Sequence, residues 1–433
     1  MSAPAATSPY AAAPAAPRKD PSGMFLGAGL VGLGIAGAGF ALGLIQADPR
    51  PVMSWLIGIG FWLSILLGML FLIMISYLFD AGWTTLIRRP LEHAVGGFKW
   101  LALLFVPLLL LPWLYSSNPG LVWTWMNEAN AIPGGGTVGS DPLYLDKTWW
   151  LSREFWSIRT LIAFGGLVLV AGMLRKVSFR NDTEPSPANF ISGRKWSAFG
   201  VVASALLLSM VAIDWFKTLE YHWFSTMYGV WFFASSMWAA IATTVLLLSV
   251  LEKGDFKGLI KPVHTYFLGC MLLAFTVFWA YISFSQYFLI YNANIPEETF
   301  WYNIREKNPD GSMNVWWPVS MILIFGHFLL PFLYLLFYNN KFGVRLRLIC
   351  GWILVMHLID LYWNILPGKL PAADAVGGYV VRSIGFGLPI LFDLAMIIGV
   401  GGLLAWAYLR SALTAKLFPV NDPRILESLN AHE

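Results

Sequence analysis

Val52 to Phe79 reads VMSWLIGIGFWLSILLGMLFLIMISYLF, a run of 28 residues with no Asp, Glu, Lys or Arg. About 20 apolar residues cross a bilayer core as a helix, so this stretch predicts a membrane span. Working outward, similar runs fall at about 24–45, 98–115, 158–174, 198–216, 226–251, 263–291, 315–338, 343–366 and 388–409. The expectation is an all-α integral membrane protein with ten transmembrane helices. Composition agrees: 58% of the residues are hydrophobic and 12% charged, against roughly 25% charged in a soluble domain. A net charge of +4 gives no reason to expect a nucleic-acid partner.

Residues 1–23 are Ala- and Pro-rich and are expected to form a disordered cytoplasmic tail. The run 24–45 is too long for a signal-peptide core and no small-residue cleavage site follows, so it reads as a retained span. Lysine and arginine favour cytoplasmic segments. With the N-terminus inside, 19 of the 28 Lys and Arg residues fall in the tails and inner loops, including Arg88, Arg89, Arg175, Lys176, Arg180, Arg194, Lys195, Lys341, Arg345 and Arg347. The bias predicts that both termini, including the tail 410–433, face the cytoplasm. The outer loop 116–152 carries Trp123, Trp125, Trp149 and Trp150 around Gly134–Gly136. It is expected to lie along the outer surface, as an interfacial tryptophan belt or under a partner.

An internal repeat shapes the domain reading. Phe61-Trp62-Leu63-Ser64 in the second run matches Phe232-Phe233-Ala234-Ser235 in the sixth. Trp156-Ser157-Ile158-Arg159 in the fourth matches Trp317-Pro318-Val319-Ser320 in the eighth. Ile213-Asp214-Trp215-Phe216 in the fifth matches Ile359-Asp360-Leu361-Tyr362 in the ninth. An offset of four spans keeps the orientation, so the repeat is parallel. Two tandem four-helix bundles follow, 52–216 and 226–366, flanked by helices 24–45 and 388–409.

Ionisable groups in hydrocarbon are costly and mark pathways by default. The candidates are Asp214, Arg159, His327, His357, Asp360 and Asp393, with Lys217, Glu220, His222 and Arg382 near the outer surface. His357 and Asp360 are three residues apart and share a helix face. At 1.5 Å per residue, His357 lies roughly 15 Å and His327 roughly 18 Å below the outer ends of their helices. A histidine beside a carboxylate suits proton exchange near neutral pH. The proton-route candidates are therefore His327, His357, Asp360, Asp214 and Asp393, with hydroxyls such as that of Tyr334 continuing inward. The plainer reading is interhelical hydrogen bonding without traffic. The two histidines at similar depth also allow a bis-histidine haem. Cys270 and Cys350 form no CxxCH or CxxC, so covalent haem c and a standard cluster ligand set are excluded. Gly27-Ala28-Gly29-Leu30-Val31-Gly32 matches a nucleotide-binding pattern, but it follows no strand and reads as small residues for close helix packing. The aromatics Trp231, Phe232, Phe233, Trp238 and Trp279 read as core or lipid contact, with a quinone wall as the sharper alternative.

The stretch Asp214-Trp215-Phe216-Lys217-Thr218-Leu219-Glu220-Tyr221-His222-Trp223-Phe224-Ser225-Thr226-Met227-Tyr228-Gly229, the region of His264 and the His357–Asp360 span resemble the ActF-type subunits of bacterial alternative complex III, within the NrfD/PsrC-type membrane subunits of quinone oxidoreductases. The resemblance implies a membrane subunit of a quinol:electron-acceptor (cytochrome c) oxidoreductase that supports quinol oxidation, proton conduction or both. It implies partner subunits that carry haem c and iron–sulfur clusters, a homologous membrane subunit, and a substrate such as menaquinone or another quinone. Under it, Glu220, His222, Arg159 and Arg382 are candidates for a quinone or outer-surface site. Two other readings stay open: a secondary transporter, and a purely structural anchor of a redox complex.

Overall fold

A computed structural model describes residues 20–431; residues 1–19 of the expected N-terminal tail lie outside the described residues. Ten long helical stretches organise the chain. They are α1 (Ser22–Gln46), α2 (Pro49–Leu78), α3 (Phe98–Leu114), α4 (Arg153–Arg180), α5 (Pro187–Val211), α6 (Tyr228–Leu251), α7 (Pro262–Ala293), α8 (Trp316–Ile322, continued through Leu323–Leu329 and Leu330–Leu336), α9 (Gly343–Ile365) and α10 (Leu388–Thr414). Among the described residues nine helices are long and apolar enough to cross a membrane. The expected span 343–366 is not one of the nine. Its helix, α9, has 23 residues, but it carries Arg345, Arg347, His357 and Asp360. The chain is thus a multi-pass helical membrane protein.

Several helices outrun their apolar cores, because caps and not charges end them. Ser152 accepts from Phe155 N at 3.3 Å and starts α4 ahead of the expected 158. Ser186 accepts from Ala188 N at 3.2 Å, with Pro187 at the first helical position, and starts α5 ahead of 198. The stretch expected as an inner loop after α2 holds a short helix, Thr85–Val95.

α2 forms the spine. It packs against α6, α10, α1 and α5, and most of its residues are buried. α6 packs in turn on α7 and α9. The outer faces of α4, α5 and α7 expose Leu161, Phe199, Leu206, Phe284 and Phe288, as a lipid-facing surface requires. α1 and α10 approach so closely that a Cβ on Gly32 would lie 2.6 Å from Ala395 O and 2.7 Å from Gly399 N, which gives the glycine stretch of α1 its packing role.

The loop 116–152 departs from a surface belt. Trp123 and Trp125 are buried, and Trp149 alone of the four tryptophans is mostly exposed. Trp123 Nε1 donates to Trp215 O at 3.2 Å, and Trp150 Nε1 donates to Asp214 Oδ1 at 3.0 Å. The indole N–H groups satisfy polar atoms of α5 and its continuation that would otherwise be orphaned, so the loop plugs the bundle end. At the opposite end, residues after α10 fold back over the ends of the other helices. Asp422 pairs with Arg88, and the Ser428 hydroxyl lies 3.2 Å from His264 Nε2 and donates to Trp83 O at 2.8 Å.

Candidate functional site

Two spans widen into π turns where the candidate residues sit: Ala212–Phe216, after α5, and Leu323–Leu329, within α8. Such turns displace backbone carbonyls from the regular ladder and recur at functional sites. Here side chains take up the carbonyls. Trp156 Nε1 and Thr218 Oγ1 donate to Asp214 O at 3.1 and 2.6 Å. Trp352 Nε1 donates to Gly326 O at 2.8 Å.

The two carboxylates aligned by the repeat have different surroundings. Asp214 is held by Arg159 through Nε–Oδ2 at 2.5 Å and Nη2–Oδ1 at 3.1 Å, with both side chains buried. The Arg159 guanidinium also lies over the Trp150 ring, 4.0 Å from its centroid. Asp360 is equally buried, but among the described residues no Lys or Arg pairs with it. Ser235 Oγ and Trp279 Nε1 donate to its Oδ2 at 3.1 and 3.0 Å, and Asn364 Nδ2 donates to its Oδ1 at 3.1 Å. The only ionisable side chain within ion-pair distance among the described residues is His327, with Nε2 3.9 Å from Oδ2. The His327 ring stacks between Trp238 and Trp279, at centroid distances of 4.0 and 3.7 Å, and neither nitrogen has a hydrogen-bond partner.

The other proton-route candidates stand apart. His357 shares the buried face of α9 with Asp360, yet its Nε2 meets Ser64 Oγ of α2 at 2.7 Å. No hydrogen bond joins it to Asp360 or His327 among the described residues. Asp393 is clamped by Arg50 at 3.0 and 2.5 Å and accepts from Tyr362 Oη at 2.8 Å. The Tyr334 hydroxyl donates to Arg345 O at 3.3 Å.

A cavity of about 720 Å³ opens between α7 and α8, with Asp360 among its lining residues. Its walls include Trp231, Trp279, Phe284 and Phe328, and its inner polar groups are Tyr228, Arg305, Ser320, Asp360 and Asn364. Phe284, Tyr281 and Ile324 at its rim are exposed on the lipid-facing surface. The Tyr228 hydroxyl is buried without a partner. Arg305, in the segment between α7 and α8, is buried and donates only to carbonyls: Trp301 O at 2.6 Å, Trp363 O at 2.9 Å and Asn364 O at 3.3 Å. Its guanidinium carbon lies 3.4 Å from the Trp301 ring centroid. Burial lowers its pKa to about 9, against the opposing pull of Tyr228, Glu220 and Tyr302. Sequence reasoning passed over Arg305, although its place directly after Trp301-Tyr302-Asn303-Ile304 marks a cation beside aromatic rings. Arg50 was passed over too, and the prolines on either side of it place it at a helix start.

Glu220, His222 and Arg382 line a second, polar cavity of about 560 Å³ at the bundle end covered by the loop 116–152, together with Lys369. Arg159 is not there; it belongs to the Asp214 pair. Glu220 Oε1 accepts from Lys369 N at 3.0 Å. Burial lowers the pKa values of Lys369 and Arg382, and Glu220 opposes both shifts. His222 Nε2 lies 2.6 Å from Asp141 Oδ2, which also accepts from Tyr221 Oη at 2.5 Å. Burial pushes the Asp141 carboxyl up, but the Tyr221 hydroxyl and the His222 ring outweigh it and hold it below its ordinary range.

The fold defines a class, the multi-pass helical membrane protein, within which a buried carboxylate lines an aromatic cavity. No protein-family model matches the chain, and no curated protein matches it.

Proposed function

We propose that this chain is the membrane subunit of a quinol:electron-acceptor oxidoreductase, and that the cavity between α7 and α8 receives the quinol head with Asp360 as its proton acceptor. The observation that carries this reading is the cavity itself, open toward lipid, walled by aromatic rings and lined by a carboxylate with which no Lys or Arg pairs among the described residues. Its volume falls within the roughly 300–1,000 Å³ of small-molecule pockets. A lipid-dissolved quinol enters through the apolar rim. Its hydroxyl meets Asp360, and its ring oxygens lie within the reach of the Tyr228 hydroxyl and Arg305. Oxidation of one quinol to quinone releases two protons and two electrons. Asp360 takes a proton from the hydroxyl, and His327 is the next group placed to receive it. The electrons leave for metal centres in partner subunits, and the sequence resemblance names haem c and iron–sulfur subunits for that role.

The same reading has ten crossings with both termini in the cytoplasm of a bacterial inner membrane. It counts α9 as a span. An even number of crossings is supported by Asp20, before α1, which lies 3.7 Å from Arg410 near the end of α10. A reporter fused to the C-terminus is then active only in the cytoplasm.

The functional test uses the assembled complex and a photoreactive quinol analogue. Label is expected on the α7–α8 walls, and Asp360→Asn is expected to lower quinol oxidation at least about tenfold while labelling persists. Wild-type turnover and proton release in Asp360→Asn would return this chain to the role of a structural anchor.

A further inference from the structure

A second kind of site lies at the opposite end of the bundle, among cations the quinol reading does not use. Lys99 and Trp100 open α3, Arg175 lies five residues before the end of α4, and Arg410 lies four residues before the end of α10. With His93 and Trp406 they surround a cavity of about 320 Å³. Arg175 Nη2 donates to Ser411 Oγ at 3.0 Å, and Ser411 Oγ is 2.8 Å from His93 Nδ1. The Arg175 Nε is buried and has no partner. No carboxylate lines this cavity among the described residues. Glu92, on the nearby short helix, is engaged by Arg88, Arg89 and Ser178. Among the described residues Arg410 pairs with Asp20 alone, in an exposed contact of little strength in water.

We infer that this cavity holds the phosphate of an anionic phospholipid headgroup. Several cations converging without a carboxylate suit phosphate. The depth selects a lipid over a free anion. Arg175 lies roughly 7.5 Å below the end of α4 by helical rise, at headgroup level. The Trp100 and Trp406 rings meet edge to face at 5.3 Å beside it, as interfacial indoles do. Below the cavity, Leu103, Val106 and Leu110 of α3 are exposed, one above another at helical spacing, and give acyl chains an apolar track. The site is independent of the quinol cavity.

Native mass spectrometry of the full chain, released from nanodiscs of phosphatidylcholine containing phosphatidylglycerol or cardiolipin, tests the inference. The anionic lipid is expected to survive a detergent wash that removes phosphatidylcholine. Lys99→Gln with Arg410→Gln is expected to lower its retention about thirtyfold, at roughly fivefold per cation removed. Both side chains are exposed, so this pair tests the site even if Arg175→Gln fails to fold. Equal retention of phosphatidylcholine, or unchanged retention in the double variant, would overturn the assignment. Displacement of the lipid by millimolar inorganic phosphate would instead mark a free-anion site, and would overturn the lipid assignment as well.

Discussion

Asp214 and Asp360 align in the repeat and are both buried, yet they are expected to answer the same mutation in opposite ways. Asp214→Asn removes the charge that compensates Arg159. At about 4 Å between charge centres and an effective dielectric of about 20, the lost attraction is about 4 kcal/mol, within the roughly 3–5 kcal/mol observed when one member of a buried pair is orphaned. Arg159 keeps its donation to Trp150 O at 3.1 Å and its place over the Trp150 ring, so the cost falls toward the lower end. Arg159→Gln leaves Asp214 with the Trp150 indole as donor but without its guanidinium partner, and its cost falls toward the upper end. Asp360→Asn orphans no cation, and the amide oxygen can still accept from Trp279 and Ser235; the expected change is within about 1 kcal/mol. The assay is a denaturant titration of the purified full chain in mixed micelles, with Arg159→Gln/Asp214→Asn completing a double-mutant cycle. The double variant should recover at least half of the larger single loss. If Asp214→Asn is no more destabilising than Asp360→Asn, or if the double variant equals the sum of its parts, the ion pair is not what distinguishes the two sites.

Two further outcomes follow from the packing and the outer loop. Gly32→Ala, whose Cβ would meet the backbone of α10, should lower stability by roughly 1–3 kcal/mol, whereas Gly34→Ala, with nothing within 4 Å of its Cβ, should leave the unfolding midpoint in place; equal effects would remove the packing argument. Asp141 is held below its ordinary pKa by Tyr221 and His222, so its contribution to stability is complete above the unfolded carboxylate value of about 3.9 and fades as pH falls through the lower folded value. Asp141→Asn should therefore be less stable than wild type at pH 7, with the gap closing below about pH 4; a gap that persists to pH 2 would contradict the linkage.

Position along the chain was legible in the sequence, because hydrophobic length is a one-dimensional quantity. The apolar runs located the long helices, and the three-residue spacing of His357 and Asp360 placed both on the buried face of α9. Direction around each helix axis was not legible. His357 and Asp360 differ by enough rotation that one reaches Ser64 of α2 while the other reaches Ser235 of α6 and Trp279 of α7. Nor did the sequence reveal which carboxylates are neutralised. Asp393 meets Arg50 across 343 residues, and no local pattern announces such a contact. The loop tryptophans misled for a related reason. An indole N–H serves a buried carbonyl as readily as a headgroup, and only the neighbouring helix end decides which.

The folded-back C-terminus bears on the order in which the molecule is completed. The residues after Thr414 tie down Arg88, which precedes α3, His264, at the start of α7, and Asp80, through Arg424 at 3.0 Å. A ribosome delivers this segment after every membrane helix has left the tunnel. Until then the charges of Arg88 and Glu92 have their i,i+4 contact but not Asp422, and wait at the water-facing end of an open bundle. Residues made after α10 thus act as a clasp across segments made long before them, so a stop codon shortly after α10 would spare α1 to α10 and still release a chain whose bundle end opposite the loop 116–152 has never closed.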